Sequence, residues 1–314
     1  MSKTRFRTLL SLIFDATVLI HAANRYITFH SRNKDFLPLY NHNYFSYKTG
    51  RVFYTVKGSG SPVVLLHDVM EGGSGYEWNR IEDELAQNHT VYTLDLPGCG
   101  RSDKYGIIYT NFLFVQMLSQ FINNVIKGKT SVVACGYSST IVLMANIYDR
   151  NLFDKITLIN PSDPSLISRK VTVKGKIYRR IIETPVYGTM IYNMHSSHEA
   201  LSTRFMDKYF YNPFHVERDV LDAYYEAAHK GGYFCKSLYA SLSSGYLNVD
   251  ITKAVKNLNA EKSILIFGET EFNRDSVKNR YIAINPSLRS KICGLSGHFP
   301  QIESPEQLLQ MIKI

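Results

Sequence analysis

Short apolar runs alternate with helix-patterned segments over most of the chain from Tyr44 onward. The runs resemble buried strands of five to seven residues and occur at 62–67, 90–95, 130–135, 154–160, 263–267 and 291–295. Helical spacing of apolar residues predicts helices at 77–87, 111–126, 139–148 and 276–284, with a last helix from Pro305. Apolar strands separated by helices imply a mostly parallel sheet covered on both faces. A hairpin joined around Thr49–Gly50 precedes this series.

The alternation stops between residues 165 and 248, where helices are predicted near 200–211 and 217–229 instead. This stretch holds 10 of the 22 tyrosines of the chain. Ligands of a doubly wound sheet bind beyond the carboxyl ends of its strands, and an insertion there would cover the site. We therefore predict three parts, namely an amino-terminal segment 1–40, a core made of 41–164 and 249–314, and a helical cap 165–248.

The amino-terminal segment contains an apolar stretch, residues 8–24, between Arg7 and Arg25. Its length lies at the lower limit for crossing a bilayer of about 30 Å. Asp15, near its middle, would cost roughly 2.5 to 3.5 kcal/mol on insertion. A helix that lies in a membrane interface, or that docks on the protein itself, is the alternative. The sequence thus predicts a cytoplasmic protein or one attached to the cytoplasmic face of a membrane.

The charge of the chain is concentrated in two places. Its formal net charge is +9, from 36 Lys and Arg against 27 Asp and Glu, and residues 1–35 and 168–183 carry the excess. No recognisable nucleic-acid-binding module accompanies these stretches, so no nucleic-acid partner is expected. Possible contact of residues 1–35 with an anionic membrane surface and ordinary solvated faces both stay open. The four cysteines share no CxxC spacing, which predicts reduced thiols and no zinc site.

The segment from Val132 to Thr140 resembles an apolar strand, a tight turn and the start of a helix, with Ser138 placed at the turn. A hydroxyl at such a turn lies beside the amino end of the helix, where free N–H groups can stabilise an oxyanion. The pattern is G-x-S-x-T, because Thr140 stands where a second small residue would complete it. A serine that only caps the helix is the alternative.

Four further motifs follow a fixed order with this turn: VVLLHDV, LDLPGCGRSD, FGETE and SGHFPQIESPEQL. Together with the turn they resemble the α/β-hydrolase fold family over about residues 43–314. The resemblance implies an α/β-hydrolase fold, that is, a mostly parallel doubly wound sheet with a helical cap insertion. It also implies a serine hydrolase that needs no metal or redox cofactor. Epoxide hydrolase or dehalogenase chemistry in this fold needs an Asp nucleophile, which a serine at the turn argues against.

The resemblance also assigns the catalytic residues. It implies Ser138 as nucleophile, His298 as general base and Glu271 as the acid that orients the histidine. Serine needs an adjacent base, and the base needs a carboxylate to fix its tautomer. The family more often has Asp as the acid, so Asp275 and Asp163 are competing candidates.

The oxyanion hole implied by the resemblance pairs the backbone N–H groups of Val69 and Ser139. The sequence departs from the family here, because Asp68 stands where glycine follows the histidine. Glycine permits backbone conformations that Asp adopts less readily, which puts the shape of this loop in doubt. His67 is expected to be structural. Cys99 and Cys135 also lie in strand-end loops, but neither stands at the apex of the turn.

The leading hypothesis is a hydrolase that cleaves a small-molecule carboxylic ester or thioester through an acyl-enzyme. An acyltransferase of the same mechanism is an alternative. A catalytically decayed ligand-binding protein, suggested by Asp68 and Glu271, is another, and a membrane-surface interaction protein is a third. The sequence identifies neither the substrate nor the oligomeric state.

Overall fold

The computed structural model describes residues 3–31, 35–37, 42–48 and 50–314, and in these residues one eight-stranded sheet forms the centre of the molecule. The strands are β1 His42–Tyr47, β2 Gly50–Lys57, β3 Ser61–Leu66, β4 His89–Leu94, β5 Thr130–Cys135, β6 Phe153–Ile159, β7 Ser263–Gly268 and β8 Ser290–Cys293. Their order is β1-β2-β4-β3-β5-β6-β7-β8, in which β1 and β2 pair antiparallel and the others parallel. The mostly parallel doubly wound sheet and the hairpin are confirmed, while Thr49 of the hairpin turn lies outside the described residues.

Helices cover both faces of the sheet. They are α1 Lys3–Ser31, α2 Glu82–Leu85, α3 Asn111–Phe121, α4 Ser138–Tyr148, α5 Pro164–Ile167, α6 Val173–Ile182, α7 Tyr187–His195, α8 His198–Arg204, α9 Arg218–His229, α10 Cys235–Ser243, α11 Thr252–Lys256, α12 Arg274–Ile284, α13 Pro300–Glu303 and α14 Pro305–Leu309. Single 3-10 or π turns occur at 75–78, 122–126, 205–209, 213–215 and 232–234.

The continuous helix predicted at 77–87 is wrong, because the chain forms a 3-10 turn followed by the short α2. Glu77 and Trp78 in that turn are fully buried at the end of the sheet. Their burial follows the packing of the turn rather than the helical repeat, so tertiary contacts override the local pattern.

Two strands of the sheet, β5 and β7, are buried along their whole length. Every residue of β5 and of β7 is buried, and separate apolar clusters lie on the two faces of the sheet. This explains why these strands appear in the sequence as continuous apolar runs rather than alternating ones. Loops that follow β3, β5, β7 and β8 meet at one edge of the sheet, where the candidate residues lie.

A helical insertion containing α5 to α10 separates β6 from β7. It has the composition and position predicted for the cap, while the division of the chain at residues 165 and 248 stays a prediction. Its helices pack on the loops at the carboxyl ends of the strands, so side chains from the insertion reach the candidate site.

The amino-terminal helix α1 packs against α7 of the insertion. The Thr17 hydroxyl lies 2.7 Å from the Tyr187 hydroxyl, and the Asn24 side-chain amide donates to the Val186 carbonyl at 3.0 Å. Within the described residues α1 alone is long and apolar enough to cross a membrane, a test that signal sequences and buried core helices also pass. Asp15 is exposed.

Candidate active site

The loop after β3 begins with a buried histidine that supports the backbone. His67 accepts the Leu96 N–H at Nε2 (3.0 Å), and its Nδ1 lies 2.7 Å from the carbonyl of Asp68. Burial lowers the pKa of His67, so the ring is neutral and donates from Nδ1. Both ring nitrogens are used by the backbone, which is the structural role expected for this residue.

The apex of the turn after β5 is Gly136. Its φ of +56° is the left-handed conformation, and its N–H donates to the carbonyl of Ile159 at 2.9 Å. Tyr137 already has helical dihedrals, and Ser138 is the first residue of α4. A side chain at Gly136 would overlap the carboxylate of Asp68. The Asp68 carboxylate, from the neighbouring loop, therefore occupies the volume that a side chain at position 136 would fill.

Ser138, the nucleophile predicted from the sequence, does not stand at the apex of the turn. Ser138 lies two residues beyond the apex and is fully buried, and its hydroxyl donates to the His67 carbonyl at 2.5 Å. The reason is a shift in register: Gly136 takes the positive-φ apex, which the pattern G-x-S-x-T assigns to its third residue, Ser138. Ser138 is thus part of the packing between the loops after β3 and β5.

Asp68, His298 and Glu271 form a hydrogen-bonded row. His298 Nε2 lies 3.0 Å from Asp68 Oδ2, and His298 Nδ1 lies 3.0 Å from Glu271 Oε2. The three side chains come from the loops after β3, β8 and β7, and each is about 13 to 16% exposed. The structure thus brings the predicted base and acid together, and the group that meets the base is a carboxylate.

Glu271, and neither of its two competitors, contacts His298. Asp275 forms ion pairs with Arg274 and Lys278 on the surface. Asp163 accepts the Ser165 N–H at the start of α5 and pairs with Arg280. Both carboxylates are therefore held away from the histidine.

The two carboxylates that contact His298 favour its charged form. Burial alone would lower the pKa of His298, but the carboxylates of Glu271 and Asp68 outweigh it and raise the pKa well above its usual value. The resting site is therefore an imidazolium held between two carboxylates.

The backbone N–H groups near the apex differ in what they contact. Ser139 N–H donates to the Gly136 carbonyl at 3.2 Å, so it is used inside the turn and does not face the site. Tyr137 N–H donates to Asp68 Oδ1 at 2.6 Å and takes the place assigned to Ser139. This is the N–H of the residue after the apex, as the fold requires. Val69 is buried at the cavity wall, and its N–H has no acceptor among the residues that the structure describes.

A second buried acid, Glu77, lies beneath Asp68. Its carboxyl accepts the Asp68 N–H at 3.1 Å, the Gln301 amide at 2.7 Å and the Tyr224 hydroxyl at 3.3 Å. Burial, together with the charge of Asp68, raises the pKa of Glu77 to about 8. Glu77 fixes the backbone of the Asp68 loop from below.

A cavity of about 360 Å³ opens over this row, and Asp68, Gly136, Glu271 and His298 line it together with Tyr209 of the insertion. The Tyr209 ring lies 5.3 Å from the His298 ring, and the Tyr209 carbonyl accepts the His298 N–H at 2.6 Å. Burial, with the nearby carboxylates, raises the pKa of Tyr209, so its phenol keeps its proton.

The loop after β3 is also tied to the insertion through Glu71. Its carboxylate lies 2.7 Å from His195 Nε2 and 3.0 Å from Arg204 Nη2. Because Glu71 lies three residues after Asp68, the position of the insertion is coupled to that of the site.

Sequence reasoning missed Asp68, Gly136, Tyr137 and Glu77 as members of the site. One signal in the sequence could have found the apex. The motif has a small residue two positions before and two positions after its apex. Gly136 meets this condition, with Ala134 and Ser138, whereas Ser138 has Thr140 at the second position. Cys99 and Cys135 are fully buried thiols whose pKa values burial raises. In the described residues, no group of three or more His, Cys, Asp or Glu is placed to hold a metal ion.

Curated relatives match this chain over about a quarter to a third of its length, and the matched part is less than half of each relative. A soluble epoxide hydrolase of Corynebacterium sp. (strain C12) is 26% identical over 110 residues, which are 35% of this chain and 38% of that protein. A 2-hydroxy-6-oxo-6-(2'-aminophenyl)hexa-2,4-dienoic acid hydrolase of Metapseudomonas resinovorans is 29% identical over 111 residues, 34% of this chain and 37% of that protein. A pimeloyl-[acyl-carrier protein] methyl ester esterase of Aliivibrio fischeri (strain MJ11) is 32% identical over 72 residues, 23% of this chain and 27% of that protein.

Solved structures match over most of the chain. A serine hydrolase involved in carbazole degradation and the epoxide hydrolase CorEH each superpose with a TM-score of 0.67 at 18% identity, covering 86% of this chain and 96% of theirs. Such a likeness shows the fold. The model of the alpha/beta hydrolase family matches residues 63–311, well over half of the sequence, including the three loops that hold the row of Asp68, His298 and Glu271. The chain therefore belongs to the alpha/beta hydrolase family.

Proposed function

We propose that this chain is a small-molecule hydrolase in which Asp68, carried by the loop after β3, is the nucleophile. The observation that carries the proposal is the place of its carboxylate, which occupies the side-chain space of the apex between the Tyr137 N–H and His298. A carboxylate at this point attacks an electrophilic sp³ carbon, because attack on a carboxylic ester would give a reactive anhydride. A strained cyclic ether, an epoxide, is the substrate class that fits.

In the first step Asp68 Oδ2 forms a bond to one epoxide carbon, and the C–O bond of the ring breaks. The carboxylate becomes a neutral ester, so the imidazolium of His298 loses one of its two stabilising charges and becomes more acidic. It gives its proton to the alkoxide. The products of this step are a hydroxyalkyl ester of Asp68 and a neutral His298 that is still held by Glu271.

In the second step the neutral His298 takes a proton from water, and the hydroxide adds to the ester carbon of Asp68. The oxyanion forms on Oδ1, which already accepts the Tyr137 N–H. Collapse of the intermediate expels the alcohol, which takes the proton from His298, and the new acid of Asp68 then protonates His298 again. The sum is epoxide plus water giving a diol, and the resting ion pair is restored.

The neutral phenol of Tyr209 at the cavity wall supports this proposal. It keeps its proton at neutral pH and lies beside His298, where it can donate a hydrogen bond to the ring oxygen of the epoxide. A relative named as an epoxide hydrolase agrees with the proposal, as far as its partial match extends.

Hydrolysis of an ester or thioester through Ser138, the hypothesis from the sequence, is disfavoured because its hydroxyl is buried against the His67 carbonyl. The same holds for an acyltransferase that uses this serine. A ligand-binding protein without turnover is the second candidate. It is favoured by one observation, that the Asp68 carboxylate already has donors on both oxygens in the resting site.

A single-turnover reaction in H₂¹⁸O with styrene oxide tests the proposal. In the first turnover the new hydroxyl of the diol should carry an oxygen of Asp68 and no label. When the reaction is allowed to continue, the diol from later turnovers should carry ¹⁸O, because hydrolysis of the ester leaves a labelled oxygen on Asp68. In His298→Gln the alkoxide takes its proton from the Tyr209 phenol or from water, and the ester, which then lacks the base that hydrolyses it, should accumulate as a mass increase on the peptide that contains Asp68. Asp68→Asn should lower turnover by about a thousandfold or more, and Ser138→Ala by only a few fold.

Two results would separate the alternatives. Binding of styrene oxide or its diol without turnover, and without an adduct in His298→Gln, would favour the binding protein. Hydrolysis of p-nitrophenyl acetate with acylation of Ser138 would restore the acyl-enzyme hypothesis. The expected location, in the cytoplasm or on the cytoplasmic face of a membrane, stays a proposal that rests on residues 1–35.

A further inference from the structure

The amino-terminal helix is a surface helix that packs on α7 through a face that mixes Ile20 and Ile27 with polar side chains, while most of its large apolar residues are exposed. Such a helix normally turns its apolar stripe inward and its polar residues outward. In α1 the buried positions include Asn24 and Ser31, which are 6% and 1% exposed, and Thr17 also contacts the insertion. Asn24 bonds to both the Val186 carbonyl and the Asn193 amide. Polar groups spaced seven residues apart thus hold α1 to α7.

The outward face of α1 carries large apolar side chains, with the exposed Asp15 among them. Six large side chains there are 50 to 70% exposed, namely Leu12, Phe14, Val18, Leu19, Tyr26 and Phe29. A contiguous apolar surface of this kind marks an interaction site in a protein that is otherwise well packed. Arg7 and Arg25 are exposed on the same helix.

The basic cap helix α6 extends this surface. It packs beside α7, which packs beside α1, so the three helices lie side by side. Val173, Ile177 and Ile181 of α6 are exposed at helical spacing. Five exposed basic side chains surround them, namely Arg169, Lys170, Lys174, Lys176 and Arg180. The helices that carry described parts of the two basic stretches, far apart along the chain, therefore both pack against α7.

We propose that the face formed by α1, α6 and α7 docks flat in the interface of a bilayer that contains anionic lipid. Apolar side chains flanked by Lys and Arg are the composition that enters the boundary between headgroups and acyl chains. The positive charge selects anionic headgroups over zwitterionic ones. The hydrogen bonds of Thr17 and Asn24 to α7 keep α1 parallel to the protein surface, and Asp15 at its middle opposes insertion across the bilayer.

The docking face borders the cavity of the candidate site. Leu166 of α5 is 46% exposed and lines the cavity, and the basic stretch begins three residues later at Arg169. A docked molecule would thus hold the cavity rim near the lipid headgroups. The proposal stands whether or not Asp68 is a nucleophile, because it is tested by binding alone.

Sedimentation of the full-length protein with vesicles tests the proposal. We expect binding to vesicles of phosphatidylcholine and phosphatidylglycerol, and at least about tenfold weaker binding to phosphatidylcholine alone or in high salt. Leu12→Glu/Leu19→Glu should lower binding by more than about tenfold, whereas Tyr148→Glu, an equally exposed position on α4, should not change it.

The charge variant Lys174→Glu/Lys176→Glu should lower binding to the anionic vesicles only. Its matched control on α11, Lys253→Glu/Lys256→Glu, should not. Circular dichroism shows that each variant is folded.

Three results would overturn the proposal. One is equal sedimentation with and without vesicles. A second is a lipid-free dimer that Leu12→Glu/Leu19→Glu dissociates, because a second copy would then cover this face. The third is retention on the vesicles after a wash with alkaline carbonate, which would mean that α1 leaves α7 and crosses the bilayer.

Discussion

Two buried carboxylates at neighbouring strand ends, Asp95 after β4 and Asp68 after β3, have opposite surroundings. Asp95 is fully buried and accepts four N–H groups, from Gly75 and Arg101, at 2.6 to 2.9 Å. The Arg101 guanidinium also stacks 4.0 Å above the Phe53 ring. Asp68 accepts one backbone N–H, contacts one ring nitrogen and faces a cavity.

The difference separates a carboxylate that holds the fold from one that is available for chemistry. Burial alone would raise the pKa of Asp95, but the Arg101 charge and the hydrogen bonds lower it to about 2, so its charge is fixed at any ordinary pH. Every lone pair of Asp95 is engaged, whereas one side of Asp68 stays open to a ligand. A paired carboxylate can thus bind a ligand when its hydrogen-bond donors leave one side of it facing a cavity, as for Asp68.

The largest expected effect comes from removing Asp95. Asp95→Ala leaves the buried Arg101 guanidinium without its carboxylate and should lower the free energy of unfolding by about 3 to 5 kcal/mol. Asp68→Ala should lower it by about 1 kcal/mol or less, because His298 keeps Glu271 as its partner. Urea unfolding of both variants measures the difference. Equal losses would mean that Asp68 is as structural as Asp95.

Next in size is a side chain placed at the apex. Gly136→Ser should cost about 1 to 3 kcal/mol in unfolding free energy, because the new Cβ overlaps the Asp68 carboxylate and because the φ of +56° strains any side chain. Adding Asp68→Gly should recover the part of that loss that comes from the overlap. The double variant should also place a hydroxyl beside His298 and gain hydrolysis of p-nitrophenyl acetate. Gly128→Ser is the control, because nothing lies within 4 Å of a Cβ there. A double variant as unstable as Gly136→Ser would refute the proposed overlap.

Smaller per pH unit is the pH dependence of the unfolding free energy that Glu77 contributes. Its folded pKa of about 8 exceeds the ordinary 4.5, so the folded state binds more protons between these values. The stability of the fold should therefore fall as pH rises from about 4.5 to 8, with a slope of at most about 1.4 kcal/mol per pH unit.

Glu77→Gln should flatten that slope. The new amide can donate to Gln301 Oε1, which is buried without a partner, once the Gln301 amide turns over. Unfolding free energies of both proteins, measured from pH 5 to 8, give the comparison. Parallel slopes would show that Glu77 does not carry the titration.

The smallest expected effect on stability, about 1 kcal/mol or less, comes from Glu271→Gln. The variant should lower the pKa of His298, because one of its two carboxylate charges is removed. Titration of the ¹⁵N-labelled imidazole by NMR measures this change. Asp275→Asn, which alters a surface carboxylate in the first turn of α12, should leave the titration unchanged. If the two variants behave alike, Glu271 does not set the charge of His298.

The fold could be predicted from the sequence because it depends on patterns that repeat along the chain. Apolar runs bounded by turns identify the central strands, since strands buried on both faces cannot alternate. The predicted helix at 77–87 failed because Glu77 and Trp78 are fixed by burial at the sheet edge, which the local pattern does not encode.

The site could be predicted only in part. His298 and Glu271 each follow a strand within a specific motif, so their meeting at one edge follows from the topology. The third member could not be found in this way, because Asp68 enters the space of the apex from a different loop. Glycine at position 136 and aspartate at position 68 indicate this arrangement only when they are considered together, and they lie 68 residues apart in the sequence.

The presence of the Asp68 carboxylate where a side chain at position 136 would lie affects how the activity of this protein would be detected. Chemical-proteomic surveys of hydrolases commonly capture an activated hydroxyl with electrophilic phosphorus reagents, and a carboxylate nucleophile does not retain such a label. The protein would count as silent in those surveys. Reagents that alkylate carboxylates, such as inhibitors bearing a reactive three-membered ring, are the ones expected to reveal it.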